Sequence, residues 1–175
     1  MFTFLIGGAR SGKSWLGQRL VEQAVGVDDP VAAVVTAEAG DDEMADRIAR
    51  HQHDRPMHWQ TIEAPHALAD AVGAVDSSQA LLLDCLTFWI ANRVMAEIPD
   101  LEIEAEAERL AGLLSSRTAP TVVVTNEVGH GIVPGDPLSR RFRDVHGRVN
   151  RIVADQAADA FLVVAGRTIP LDRPA

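Results

Sequence analysis

The chain has one cysteine, few basic residues, and no long apolar run or low-complexity tract. A single cysteine cannot form an internal disulfide. A reducing compartment is therefore expected, with Cys85 packed beside an apolar strand. Lys and Arg number 16 against 25 Asp and Glu, a net charge of −9. A surface of that sign does not displace counterions from a phosphate backbone, so general nucleic-acid binding is disfavoured. No apolar stretch approaches the ~20 residues that cross a bilayer. The first of them, Phe2 to Ile6, leads into a glycine loop and not a cleavage site, so no secretory signal is expected. These features fit a cytoplasmic protein acting on small molecules. With 175 residues, 47% of them hydrophobic, one catalytic domain over 1–175 is expected.

What the chain does have begins at once. Gly7, Gly8, Ala9, Arg10, Ser11, Gly12, Lys13 and Ser14 satisfy G-x-x-x-x-G-K-[ST], the phosphate-binding P-loop. The apolar run before it suits a buried strand, and Trp15 to Val25 is apolar at helical spacing, so the motif sits in its required setting. Glycines let backbone N–H groups face phosphate oxygens, and a helix N-terminus adds positive partial charge. Lys13 is expected to reach the β- and γ-phosphates, and the Ser14 hydroxyl to hold Mg²⁺.

Further on, strand and helix patterns alternate. Strands are expected at Val31–Thr36, Trp59–Ile62, Ala80–Leu83, Thr121–Thr125 and Phe161–Val164, with Thr168–Leu171 as an edge. Helices are expected at 41–53, Pro65–Val72, Thr87–Ala96, Leu101–Ser115 and Leu138–Ala158, the last broken near Gly147. The strands are near-continuous apolar runs, as in a mostly parallel sheet covered on both faces. The expected fold is α/β with helices flanking the sheet. Ligands of such sheets bind at the carboxyl ends of the strands, which directs attention to Thr36, Glu63, Asp84 and Asn126-Glu127.

Asp84 follows Ala80-Leu81-Leu82-Leu83, the Walker B arrangement that places a carboxylate near Mg²⁺. The plainer alternative is a cap for the helix near Thr87. In the stretch from Asp41 to Pro56, Arg47, Arg50 and His51 share a helical face, with Arg55 one turn further. Such a face can contact phosphate, and a neutral imidazole on it can attack phosphorus. It can equally be a solvated face with pairs such as Asp46–Arg50. His51 and His53, two residues apart, point to different sides of a helix and are no metal pair. After the Thr121–Thr125 strand, Glu127 offers a base or an Mg²⁺ partner, and His130 reads as a loop histidine. Ser139 to Arg151 is locally basic: a solvated face, or a patch for an anionic substrate or partner subunit. Asp144-Val145-His146-Gly147 matches D-x-x-G of switch GTPases but lies in a helical stretch. With no N-K-x-D in the chain, a regulatory GTPase is disfavoured.

Taken together, several segments resemble the bifunctional adenosylcobinamide kinase/adenosylcobinamide-phosphate guanylyltransferase family. They are the P-loop, Asp41-Asp42-Glu43-Met44, Arg47-Ile48 with His51, Arg55-Pro56, Trp59 and Glu63, Thr125 to Gly129 with Gly131 to Pro134, and Phe142-Arg143-Asp144 with Gly147-Arg148-Val149-Asn150. The resemblance implies a RecA-like P-loop NTPase fold and a homotrimer. It implies phosphorylation of adenosylcobinamide by ATP or GTP, then GMP transfer from GTP to adenosylcobinamide phosphate, within assembly of the coenzyme B12 nucleotide loop. It places a guanylylated histidine on His51, with Lys13 also catalytic. It carries nucleotide contacts onto Val35, Thr36, Ala37, Gln52, His53, Asp54, Arg55, Glu63 and Asp84, with Ser14 and Asp84 as metal residues. The chain departs from the family pattern at Ala37, commonly serine, and at Arg151, often glutamine.

Overall fold

The computed structural model describes residues 1–26, 29–38, 40, 42, 45–46, 49, 53 and 55–173. Among these, the element order is β1 (Thr3–Gly7), α1 (Lys13–Ala24), β2 (Val31–Val35), β3 (Gln60–Glu63), α2 (Leu68–Ala74), β4 (Ala80–Asp84), α3 (Leu86–Met95), α4 (Asp100–Ser116), β5 (Thr121–Asn126), α5 (Pro137–Ala154), β6 (Asp159–Val164) and β7 (Arg167–Pro170). The helix expected over 41–53 lies largely outside the described residues. Within it Asp42, Ala45, Asp46, Ala49 and His53 are helical.

The strands form one sheet in the order β3-β2-β4-β5-β1-β6-β7. All pairings are parallel except β6 with β7, which run antiparallel through a turn with Ala165 at φ 51 and Gly166 at φ 73. Alternate residues of each strand enter opposite cores, because side chains of a strand point to alternate faces. Phe4, Ile6, Val34, Leu81, Leu83 and Val123 pack with α2 to α5. Leu5, Val31, Ala33, Leu82, Val122 and Val124 pack on the other face, with Leu16, Leu20 and Val21 of α1. This two-sided burial is why the strands read as continuous apolar runs.

Most helix ends fall within two residues of the sequence-based expectation, and α2 and α5 depart further from it. α2 begins at Leu68 and not at Pro65, because the preceding residues are held elsewhere. Ala64 N–H donates to the Val35 carbonyl at 2.8 Å, and the Pro65 carbonyl accepts from Asn92 at 3.0 Å. α5 is unbroken at Gly147, which faces open space while Val145 and Val149 beside it are fully buried. Packing on both sides of the glycine outweighs its ~1 kcal/mol helix penalty. The helix starts cleanly, with Asp136 accepting the Ser139 N–H and Pro137 following it, and ends at Ala154, short of the expected Ala158. The Ala158 N–H instead donates to the Phe2 carbonyl at 2.9 Å.

Candidate active site

The loop between β1 and α1 is the P-loop anticipated from sequence. Gly12 adopts φ 95, a left-handed conformation that glycine accepts without steric cost. The Ser11 carbonyl is tied back by the Gly166 N–H at 2.8 Å. Lys13 is buried, and its ammonium donates to the Gly8 carbonyl at 3.0 Å, across the mouth of the loop. On the next residue, Ser14 Oγ donates to Asp84 Oδ1 at 3.0 Å. Asp84 closes β4, whereas the N-cap of α3 is Cys85, which makes no side-chain cap bond. The capping alternative for Asp84 therefore fails, and the carboxylate faces the P-loop.

Arg55 is the third charged group at this point. Its Nη2 lies 3.7 Å from Asp84 Oδ2, and both side chains are only 7% exposed. Burial pulls the guanidinium pKa down, while Asp84 pushes it back up. Arg55 Nη1 and Ser11 Oγ are buried with no hydrogen-bond partner among the described residues. A buried polar atom left unpaired costs about 1–3 kcal/mol. Phosphate oxygens would satisfy donors of this kind.

The parallel registers set the remaining positions along the sheet edge. Gly7 is level with Asn126, Val35 with both Asp84 and Glu63. Strands lie ~4.8 Å apart, so Glu63 on β3 is four strands and about 19 Å from the P-loop strand. Glu63 is exposed, Val35 is buried and Ala37 is partly buried. Thr36 is fully buried: its hydroxyl donates to the Cys85 carbonyl in a short bond, and its own carbonyl accepts from Asn92 at 3.0 Å. His53 is exposed and helical. His51, Gln52 and Asp54, with Arg47 and Arg50, lie outside the described residues. Burial raises the Cys85 thiol to about 11, which suits the packing role expected of it.

On the other side of the loop, a cavity of about 420 Å³ is bounded by Gly8 to Ser11, Glu127, His130 and the end of β6. Glu127 enters it from the tip of β5, its N–H bound to the Gly7 carbonyl at 2.9 Å and its carboxylate accepting from the Gly129 N–H.

Three arginines of the basic stretch of α5 are engaged within the chain. Arg141 Nε donates to Asp100 Oδ1 at 2.8 Å, and Arg148 bonds Asp100 and Glu104 at 2.8 and 2.6 Å. The bond from Arg141 is the largest effect holding the Asp100 carboxyl below the usual range. Arg140 is spent on the Pro134 and Gly135 carbonyls. These cations join α5 to α4 and to the preceding loop. Sequence reasoning gave no structural role to Thr87, Asn92, His146 and Asn150; among apolar helix positions the first, third and fourth are buried and Asn92 is partly buried. A polar residue on an apolar face was the available signal.

Among the described residues no helix is long and apolar enough to cross a membrane, and no group of three or more His, Cys, Asp or Glu side chains is poised around a metal.

Solved structures share this architecture at very low identity. An ATPase from the type III secretion system of pathogenic bacteria superposes with TM-score 0.56 at 11% identity, over 91% of this chain and 50% of that one. EscN, from the enteropathogenic E. coli type III secretion system, gives 0.57 at 12%, over 94% of this chain and 43% of that one. The chain spans about half the length of these ATPases, and the likeness shows the P-loop NTPase fold alone. Sequence relatives are much nearer. The bifunctional adenosylcobalamin biosynthesis protein CobP of Pseudomonas aeruginosa is 39% identical over 98% of this chain and 97% of its own. Its counterpart CobU of Escherichia coli K12 is 37% identical over 95% and 97%. The family model described as cobinamide kinase / cobinamide phosphate guanyltransferase matches residues 3–171. With its P-loop, its strand-end carboxylate and this end-to-end match, the chain belongs to the cobinamide kinase/cobinamide phosphate guanyltransferase family.

Proposed function

We propose that one nucleotide site, on a single domain over 1–175, serves both reactions of the family. The enzyme has adenosylcobinamide kinase and adenosylcobinamide-phosphate guanylyltransferase activities, in assembly of the B12 nucleotide loop. The observation that carries the one-site reading is the convergence of Lys13, Ser14, Asp84 and Arg55 at the carboxyl edge of the sheet.

In the kinase step, the terminal hydroxyl of adenosylcobinamide attacks the γ-phosphorus of ATP or GTP. Its proton passes to a base, for which Glu127 is placed beside the loop. The Pγ–O bond to the β-phosphate breaks, and Lys13 with the loop N–H groups balances the charge of the departing diphosphate. In the second step, the neutral imidazole of His51 attacks the α-phosphorus of GTP and pyrophosphate leaves. The phosphate of adenosylcobinamide phosphate then displaces the imidazole from phosphorus, giving adenosylcobinamide-GDP. Arg55, four residues after His51 in the sequence, is anchored at Asp84. The nucleotide would lie along the sheet edge, phosphates at the P-loop and base toward Glu63, past Val35, Thr36 and Ala37. Gln52, His53 and Asp54 would border it.

Ser14 Oγ and Asp84 Oδ1, 3.0 Å apart, are hard oxygen donors suited to Mg²⁺. These two residues would hold the ion, which when bound neutralises phosphate charge. A cytoplasmic homotrimer is proposed from the family resemblance and the single cysteine.

Incubation with α-labelled GTP and Mg²⁺ tests the reading. A covalent label that survives alkali, is released by acid and disappears in His51→Ala is expected. Labelling that persists in His51→Ala would remove His51 as nucleophile, and light scattering of the same preparation checks the trimer.

A further inference from the structure

Behind the sheet edge, four buried polar side chains from three elements close a ring. They are Thr87 of α3, Thr125 of β5, and His146 and Asn150 of α5, none more than 7% exposed. His146 Nε2 is 3.0 Å from Thr87 Oγ1, which is 3.3 Å from Thr125 Oγ1. Thr125 Oγ1 donates to Asn150 Oδ1 at 2.9 Å, and Asn150 Nδ2 is 3.1 Å from His146 Nδ1.

Proton accounting leaves one consistent orientation. The Asn150 amide nitrogen can only donate, so His146 Nδ1 accepts and the ring proton sits on Nε2. Nε2–H then donates to Thr87, whose own proton goes to Thr125. A cationic imidazole would set Nδ1–H against the Asn150 N–H, so the ring requires a neutral histidine. Its recorded partners, Thr87, Asn150 and the Phe142 ring at 5.3 Å, are uncharged.

The remaining valences of the ring grip a single backbone residue. Thr87 Oγ1 accepts the Asn126 N–H at 2.8 Å, and Asn150 Nδ2 donates to the Asn126 carbonyl at 3.0 Å. The next N–H, that of Glu127, bonds the carbonyl of Gly7 at the start of the P-loop. Thr87 stands three residues after Asp84. The ring therefore connects the Asp84 segment, the tip of β5 and the P-loop, with α5 as the brace.

We propose that His146 and Asn150 are positioning residues for both reactions, holding Asp84 in register with the P-loop through Thr87 and Asn126. Neither touches a substrate. The inference rests on the one-site reading above, and its signature differs from that of the nucleophile. Loss of His51 should abolish guanylyl transfer alone, whereas loss of the ring should slow both steps.

The test uses the full chain with adenosylcobinamide and GTP, measuring each step well below the melting temperature. Wild type is compared with His146→Ala, His146→Gln and Val149→Ala. Val149, fully buried on the same helix, is a packing control. His146→Ala is expected to lower kcat of both steps about tenfold or more, with KM for GTP within about threefold, because small misplacements of catalytic groups are costly. His146→Gln keeps a donor and an acceptor and should recover most of the rate. Val149→Ala should lower Tm without lowering kcat. Unchanged kcat in His146→Ala, or an equal fall in Val149→Ala at matched stability, overturns the proposal. If His146→Ala does not fold, Asn150→Asp decides in the same assay. Its carboxylate cannot donate to His146 or Asn126, so a fall in kcat supports the proposal and normal kcat overturns it. The rates of the wild-type protein judge the proposed function separately.

Discussion

Ser14 and Asp84 are 70 positions apart in the chain, yet Ser14 Oγ lies 3.0 Å from Asp84 Oδ1. One oxygen comes from the first turn of α1, the other from the end of β4. Only the insertion of β5 between β1 and β4 sets the gap they span. A hydroxyl and a carboxylate so placed suit a hard cation bridging to phosphate oxygens. Asp84→Asn should reduce kcat of both reactions by roughly 10²–10³, with a raised Mg²⁺ requirement. Rates measured across a Mg²⁺ titration check this, and a variant with normal metal dependence would remove Asp84 from the site.

Glu127, as the proposed base, would separate the two chemistries. Only the kinase step takes a proton from a hydroxyl, so only that step needs a base at the cavity beside the P-loop. Glu127→Gln should cut the kinase rate by about 10²–10⁴ and leave formation of the guanylyl-histidine within about twofold. Equal losses in both steps would instead assign Glu127 to holding the Gly129 N–H.

Gly7 is needed for packing as well as for the loop. A Cβ there would stand 2.4 Å from the Val163 carbonyl oxygen and 2.9 Å from Ser11 Oγ. A backbone carbonyl in a parallel ladder cannot turn aside. Gly7→Ala should cost about 1–3 kcal/mol, or roughly 3–10 °C in Tm for a chain of this size. Calorimetry with and without GTP would show the loss, along with a smaller stabilisation by nucleotide. An unchanged Tm would mean that β6 yields.

Acid should destabilise the protein partly through His146. Burial lowers its pKa from 6.5 to about 4. Between those values the unfolded imidazole binds a proton that the folded one refuses. Stability is therefore complete above pH ~6.5 and declines as pH falls toward 4. The full difference corresponds to about 3 kcal/mol. Urea unfolding at pH 7 and pH 4.5 should show His146→Gln losing less stability on acidification than wild type. Identical losses would mean that the folded protein already accommodates the imidazolium.

Some of the site is legible in the sequence because its causes are local. The P-loop is a contiguous motif whose strand and helix flank it directly, and Asp84 ends an apolar run. The roles of Arg141 and Arg148 were not legible for the opposite reason. Their charge is visible in sequence, but their acidic partners, Asp100 and Glu104, lie on another helix. Thr87, His146 and Asn150 were given no structural role because each alone is one polar residue in a helix. Their meaning lies in mutual distances of about 3 Å.

By itself the sequence determined the α/β class, the phosphate-binding loop and the family, since periodicity and contiguous motifs are properties of neighbouring residues. The tertiary structure decided which distant groups meet. It set Arg55 beside Asp84, gave the Arg141 and Arg148 charges to Asp100 and Glu104, and closed the ring that grips Asn126. The physical reason is the strand order: β5 pairs between β1 and β4 only when the whole sheet assembles.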